Sequence, residues 1–209
     1  MAPARRASAA AREDAPRARL DVEERRKRLV ALGMELFSER TYDEVSIDEL
    51  AQAAGISKGL LYHYFPTKRD FYVATVREAA QQLLERTATP ATMDPIERLR
   101  AGLDAYLDYV AKHGKPYQAL LRSGVGADAE VARIVDGTRQ AFGARLLEGA
   151  PVQEHGPLVQ LVLRGWVGFV EAATVEWIDQ KRKIDRVALR DLLLKVLLDA
   201  VTAGVGTGT

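Results

Sequence analysis

Apolar residues first fall at helical spacing from residue 21. Val22, Leu29, Leu32, Leu36 and Phe37 lie along one side of a 3.6-residue turn, predicting a first helix over 21–39 with Asp21 as its N-cap. The stretch 41–45 interrupts the pattern. Ser46-Ile47-Asp48-Glu49 then reads as a capping box, in which the Ser46 hydroxyl and the Glu49 carboxylate satisfy amides left free at a helix start. A second helix is expected to run to about residue 53. Gly55 is placed for a left-handed turn, and Ser57 for the N-cap of a short third helix, SKGLLYHYF. Pro66 ends that helix by forcing its predecessor out of helical geometry, and Thr67 can cap a fourth helix from Lys68.

Beyond residue 87 the segment TATPATMDP is a break. Helical periodicity resumes over about 94–112, 115–122, 127–147, 157–180 and 186–202, separated by Gly- and Pro-containing turns. No internal repeat and no strand alternation is seen, so the expected fold class is all-α: a three-helix head and a larger helical body. The domain boundaries read as a disordered arm (1–20), a helix-turn-helix head (21–67), a body (68–203) entered through helix four, and a flexible tail (204–209).

Within the second and third helices, Ile47, Leu50, Ala51, Ala54, Ile56, Leu61 and Phe65 are spaced to form a small core. Ser57, Lys58, Gly59, Tyr62, His63 and Tyr64 are left to face outward. An ammonium, phenols, an imidazole and a glycine permitting close backbone approach suit phosphates and base edges in a major groove. The alternative is that the aromatic residues pack against neighbouring helices. Arg25, Arg26 and Arg28 add positive charge near the start of helix one, although Glu23 and Glu24 among them fit an ordinary solvated, ion-paired face.

Composition narrows the field. The 209 residues carry a net charge of only +1, so a polyanion partner must be recognised by local geometry. There is no cysteine, which removes disulfides, thiolate metal sites and a cysteine nucleophile, and suits a cytoplasmic location. The N-terminal residues lack a signal-peptide apolar run. No window holds about 18 uncharged apolar residues, because Arg164 and Glu171 interrupt the most hydrophobic segment, so no membrane partner is expected. The three histidines are scattered, and neither a phosphate loop nor a nucleophile–base motif appears. No catalytic residue, metal or cofactor is therefore assigned.

The segment AQAAGISKGLLYHYFPTKRDFYVATV, with the lead-in TYDEVSIDELAQAAG, resembles the DNA-binding segment of TetR-family regulators over about residues 24–77. The resemblance implies about nine helices and a homodimer whose heads occupy successive major grooves of a near-palindromic double-stranded operator. It also implies repression by steric block, with release by a small-molecule effector bound in the body. By motif position, Lys58, Gly59, Leu60, Tyr62 and Tyr64 are the implied groove and phosphate contacts. Lys68 is the implied phosphate anchor, and Ser46 and Tyr42 are additional backbone contacts.

An unidentified small-molecule effector is expected in the body. Candidate pocket residues are Tyr106, Tyr109, His113, Tyr117, Arg122, Phe142, Arg164, Trp166 and Phe169, each of which is also a reasonable core or surface residue. Arg164 and Glu171, seven residues apart, lie nearly on one helix face and are costly to bury unpaired, which suggests pairing across a dimer or orienting a ligand. Gly165, Gly168 and Ala172 form a small-residue stripe. Leu193, Leu194, Leu197 and Val201 offer apolar surface, so helices eight and nine are expected to form the dimer seam. Two other function classes remain at this stage: a helical adaptor of the same fold that binds protein, and a small helical enzyme.

Overall fold

The computed structural model of the chain describes residues 7–121, 128–149 and 157–206. Among them lie nine helices and no strand: α1 (Ala7–Leu36), α2 (Ile47–Ala53), α3 (Lys58–Tyr64), α4 (Lys68–Arg86), α5 (Pro95–Lys112), α6 (Gly114–Ala119), α7 (Ala129–Gly149), α8 (Pro157–Asp179) and α9 (Arg186–Gly206). The chain divides into two compact units between Thr75 and Val76, partway along α4.

α1 is longer than its apolar pattern predicts. It begins at Ala7 and passes through Asp21, so Asp21 is not its cap and residues 7–20 are helical where an arm was expected. The reason is local propensity: Ala and Arg, which dominate this stretch, are among the best helix formers even without an apolar face. At the other end of the chain, α9 continues to Gly206, into the expected tail.

The core of the first unit is built from Leu29, Val30 and Phe37 of α1 and its end, Val45, three residues of α2, Leu61, Phe65, and Phe71 with Ala74 of α4. Phe65 meets Phe71 edge-on at 4.9 Å, a favoured aromatic geometry. α1 and α4 approach closely at Gly33, where a Cβ would lie 2.7 Å from the Phe71 ring and from the Thr75 hydroxyl.

In the second unit α8 is the hub, packing against α5, α6, α7 and α9. Its Leu163, Trp166, Val167, Val170 and Trp177 are buried. The Trp166 indole donates to the Leu193 carbonyl at 2.9 Å, and Trp177 donates to the Ile184 carbonyl at 2.7 Å, so neither ring leaves its N–H unsatisfied. Asp104 of α5 accepts from Arg186 at 2.7 Å and Arg190 at 3.0 Å of α9, pinning that pair. By length and a hydropathy of 1.4, α8 is apolar enough to cross a bilayer. Here part of its apolar surface serves as a core stripe, while Leu158, Leu161 and Phe169 are exposed.

Leu193, Leu194 and Leu197 were expected on a dimer seam. They are instead buried within the chain against α5 and α8, and Val201 is half-buried beside them. The apolar pattern of α9 was sufficient for both purposes; the structure assigns those positions to the core and exposes Val187, Leu192 and Leu198. Gly165, Gly168 and Ala172 of α8 are exposed in the single chain.

Two substitutions test this packing by denaturant unfolding. Gly33→Ala must displace a buried aromatic ring and is expected to cost about 1–3 kcal/mol. Leu193→Ala is expected to cost about 2–5 kcal/mol, as a buried-leucine truncation. A Leu193→Ala protein with unchanged stability but lost self-association would return that residue to an interface.

Candidate functional site

Two short helices form the candidate nucleic-acid interface. Ser46 caps α2: its hydroxyl accepts from the Glu49 amide at 3.1 Å while Glu49 accepts from the Ser46 amide at 2.8 Å, the reciprocal pair that the sequence predicts. Arg40 holds the same carboxylate at 3.0 Å and also donates to the Glu44 carbonyl. The Ser46 amide and then the Arg40 guanidinium hold the Glu49 carboxyl at about 2, against a usual 4.5. Gly55 takes φ +64°, the left-handed turn that permits α3 to start at once. The Ser57 hydroxyl accepts from the Leu60 amide at 3.2 Å and caps α3.

Leu61 and Phe65 drive α3 into the core, each only 1% exposed. That anchoring sends Ser57, Lys58, Gly59, Tyr62 and His63 to the surface and leaves Leu60 half-buried. Open space surrounds Gly59 where a Cβ would stand, so a partner's backbone can approach there. Tyr64 differs from expectation. It is half-buried against the core, with its ring 5.6 Å from His63, because it lies three residues beyond Leu61 on the inner side of the helix.

The outward cations are engaged within the head. The Lys58 ammonium lies 2.9 Å from Asp48, a carboxylate that sequence reasoning did not pair with it; the ten-residue separation spans the turn and gave no periodic signal. Asp48 raises the Lys58 pKa through this contact. The Lys68 ammonium sits 4.1 Å from the centre of the Tyr42 ring, itself 5.0 Å from Tyr72. Thr67 caps α4 by accepting from the Asp70 amide at 3.0 Å. Nearby, Arg26 lies over the Phe65 ring at 5.1 Å and Arg28 pairs with Glu24 at 3.3 Å, which accounts for those two arginines inside the head.

The second unit contains a partly open cavity of about 590 Å³, within the range of small-molecule sites. α4 contributes Val76, Ala79, Ala80 and Leu83, the segment that follows it contributes Thr87, Ala88, Thr89 and Ala91, and α5 to α9 supply most of the remaining walls. Of the residues proposed from sequence, Tyr106, Tyr109, Tyr117, Phe142 and Trp166 line it. His113, Arg164 and Phe169 do not. His113 ends α5 with its ring 4.6 Å from Tyr109, and burial lowers its pKa; Arg164 and Phe169 face outward from α8. Arg122 lies outside the described residues.

Glu171 does line the cavity, and its partner within the chain is Arg139 of α7 at 2.7 Å. A near-coincident helical face places two residues on one side; it does not identify a second helix that reaches one of them. Sequence reasoning also missed Thr138 and Arg145. Arg145 lines the cavity and donates to the Leu84 carbonyl at 2.7 Å and the Thr87 hydroxyl at 3.2 Å, satisfying groups near the end of α4. Their helical spacing on α7 was the available signal, and it matches that of many solvated faces.

Two measurements check the head. Asp48→Asn removes a negative charge from the outer edge and frees Lys58. DNA affinity should rise several-fold, and the salt dependence should steepen by about one counterion. Because the Glu49 pKa is lowered on folding, its contribution is fully present above about 4.5 and is lost as pH falls through about 2. Glu49→Gln should therefore flatten the acid-unfolding profile of the head in that window.

Known proteins share this arrangement. The family description "Bacterial regulatory proteins, tetR family" matches residues 29–75, and "Tetracyclin repressor-like, C-terminal domain" matches residues 95–199. A solved TetR-family transcriptional regulator from Streptomyces coelicolor superposes with a TM-score of 0.82 at 36% identity, covering 88% of this chain and 83% of that one. The transcriptional activator FasR of Mycolicibacterium smegmatis is 26% identical over 80% of this chain and 78% of its own. The transcriptional repressor KstR of Rhodococcus jostii is 24% identical over 84% of this chain and 83% of its own. A capped helix-turn-helix, an all-helical cavity-bearing body and these matches over both parts establish that the chain belongs to the TetR family of DNA-binding transcriptional regulators.

Proposed function

We propose that this regulator is a cytoplasmic homodimeric repressor that binds a near-palindromic operator through α3 and acts by binding, without turnover. In this reading a small molecule entering the cavity releases it from DNA. The observation that carries the proposal is the outer edge of α3, where Ser57, Lys58, Gly59, Tyr62 and His63 are exposed on a helix fixed by its cap and its two buried anchors. A second helix of this kind places its N-terminal residues against base edges.

Repression requires only occupancy of a promoter, and no further contact surface. Kinship leaves the sign open, since FasR is named an activator and KstR a repressor. A homodimer is supported by the uncovered apolar surface of α8 and α9: Leu158, Leu161, Phe169, Val187, Leu192 and Leu198 are exposed beside Gly165, Gly168 and Ala172. Two heads related by a two-fold axis read an inverted repeat.

Linkage accounts for release. α4 begins in the head at Lys68, and its later residues line the cavity. A ligand that binds better to a conformation unsuited to two successive grooves weakens DNA binding by the same factor.

Selection from genomic DNA at moderate salt, followed by a promoter–reporter assay, tests the proposal. Enrichment of an inverted repeat whose reporter is silenced by the protein is the expected result. A reporter switched on by the same site would make the protein an activator. No enrichment would favour a protein-binding adaptor of the same fold.

A further inference from the structure

One end of the second unit carries a concentration of positive charge that neither α3 nor the cavity uses. The turn between α8 and α9 contains Lys181, Arg182 and Lys183 in succession, all exposed. Lys112 closes α5 and Lys115 lies in the first turn of α6, both exposed as well. The two segments adjoin. A Cβ on Gly114 would stand 3.3 Å from the Ile178 side chain, and the Gln118 amide donates to the Val175 carbonyl at 3.1 Å and to Asp179 at 2.9 Å. Five cations are thus gathered where α6 meets the end of α8.

None of the five has an ion-pair partner among the described residues. The carboxylates of this end are engaged elsewhere. Asp108 lies 3.4 Å from Arg186, Glu176 accepts from Gln180 at 2.8 Å, Asp179 accepts from Gln118, and Asp185 accepts from the first amides of α9 at 2.9 and 3.1 Å. The head shows the opposite balance. Residues 21–75 hold eight Lys and Arg against ten Asp and Glu, and Arg28, Arg40, Lys58 and Arg69 are paired with carboxylates. Whatever the head gains from oriented contacts with bases, its net charge opposes a polyanion.

The basic turn is also strained. Lys181 and Arg182 both take φ 55°, the left-handed region in which a Cβ crowds the backbone and which glycine enters freely. Hydrogen bonds fix them there. The Lys181 amide donates to the Ile178 carbonyl and the Arg182 amide to the Trp177 carbonyl, each at 2.9 Å, while the Trp177 indole holds the Ile184 carbonyl at 2.7 Å. On conformational grounds alone glycine suits both positions better. Two long cationic side chains stand there instead, on a backbone that is held in place, and strain of this kind gathers where a side chain has work to do.

We propose that this end of the body is a second, sequence-independent binding surface for the phosphate backbone of duplex DNA, centred on Lys181, Arg182 and Lys183 with Lys112 and Lys115 beside them. Such side chains reach phosphates without reading bases, and each contact releases about one counterion. The surface supplies affinity without specificity: α3 selects the site, and the basic end strengthens the hold on DNA of any sequence.

The strain provides a control for folding. Lys181→Gly/Arg182→Gly removes two cations while relieving the left-handed strain, so its thermal midpoint should stay level or rise. Binding of the full chain to a scrambled duplex, followed by fluorescence anisotropy over a salt series, should weaken at least about fivefold at low salt, and the salt dependence should become shallower by about two counterions for each protomer engaged. Should the turn not tolerate glycine, Lys181→Gln/Arg182→Gln removes the same charge and is expected to give the same shallower dependence.

Unchanged affinity and salt dependence in these variants, with Lys58→Ala still weakened, would overturn the inference and leave α3 standing as the reading element. Binding of the wild-type protein to phosphatidylglycerol vesicles, lost in the variants while DNA binding is unchanged, would overturn it in favour of a membrane surface. Failure of the wild-type protein to bind any duplex would remove the DNA reading of α3 and this inference with it.

Discussion

A seven-residue helix is too short to persist in water unaided, because so few hydrogen bonds cannot repay the cost of nucleating it. α3 exists only as part of the head. The Ser57 cap satisfies its first turn, and Leu61 and Phe65 fix which side faces inward. Everything proposed for the head at DNA follows from that rotation. With Leu61 and Phe65 under the helix, Lys58 and Tyr62 stand on the outer edge and Tyr64 is drawn halfway into the core. The neighbouring helix is restrained in the same way: the Ser46–Glu49 box is held by Arg40, and Asp48 of that helix reaches across to Lys58. The outer edge is therefore an ordered array before any DNA arrives, which lowers the entropy lost on docking.

The second unit solves a different problem. It must keep a space open in a helical core that would otherwise close to native packing density. Large rings at Tyr106, Phe142 and Trp166 hold the walls, and their polar atoms are satisfied locally: Trp166 by the Leu193 carbonyl, Tyr106 by Tyr117. Charge reaches the wall at Glu171, paired with Arg139 behind it, and at Arg145. The result is a cavity walled mainly by apolar side chains with a few polar groups among them.

What was legible in the sequence divides along the range of the interactions. Local signals spoke clearly: the capping box at Ser46, the left-handed Gly55, the caps at Ser57 and Thr67, and the buried positions Leu50, Leu61 and Phe65 each follow from residues within one or two turns. Longer-range assignments were harder. Leu193, Leu194 and Leu197 have the apolar spacing of either a core or an interface, and no periodicity distinguishes the two. Glu171 was singled out because a carboxylate on an apolar helix needs a partner, yet that partner, Arg139, lies 32 residues away on another helix. The upstream extension of α1 was hidden for the opposite reason. Its alanines and arginines carry helix propensity without an amphipathic pattern.

The most direct test of the central claim is the affinity of wild-type protein and Lys58→Ala for a selected operator and for a scrambled duplex of equal length, across a range of salt concentrations. If the outer edge of α3 reads DNA, the variant loses affinity for the operator by about tenfold or more, and its salt dependence becomes shallower by about one counterion. If wild type and variant bind both duplexes alike at every salt concentration, α3 is not the reading element and the account of the head is wrong.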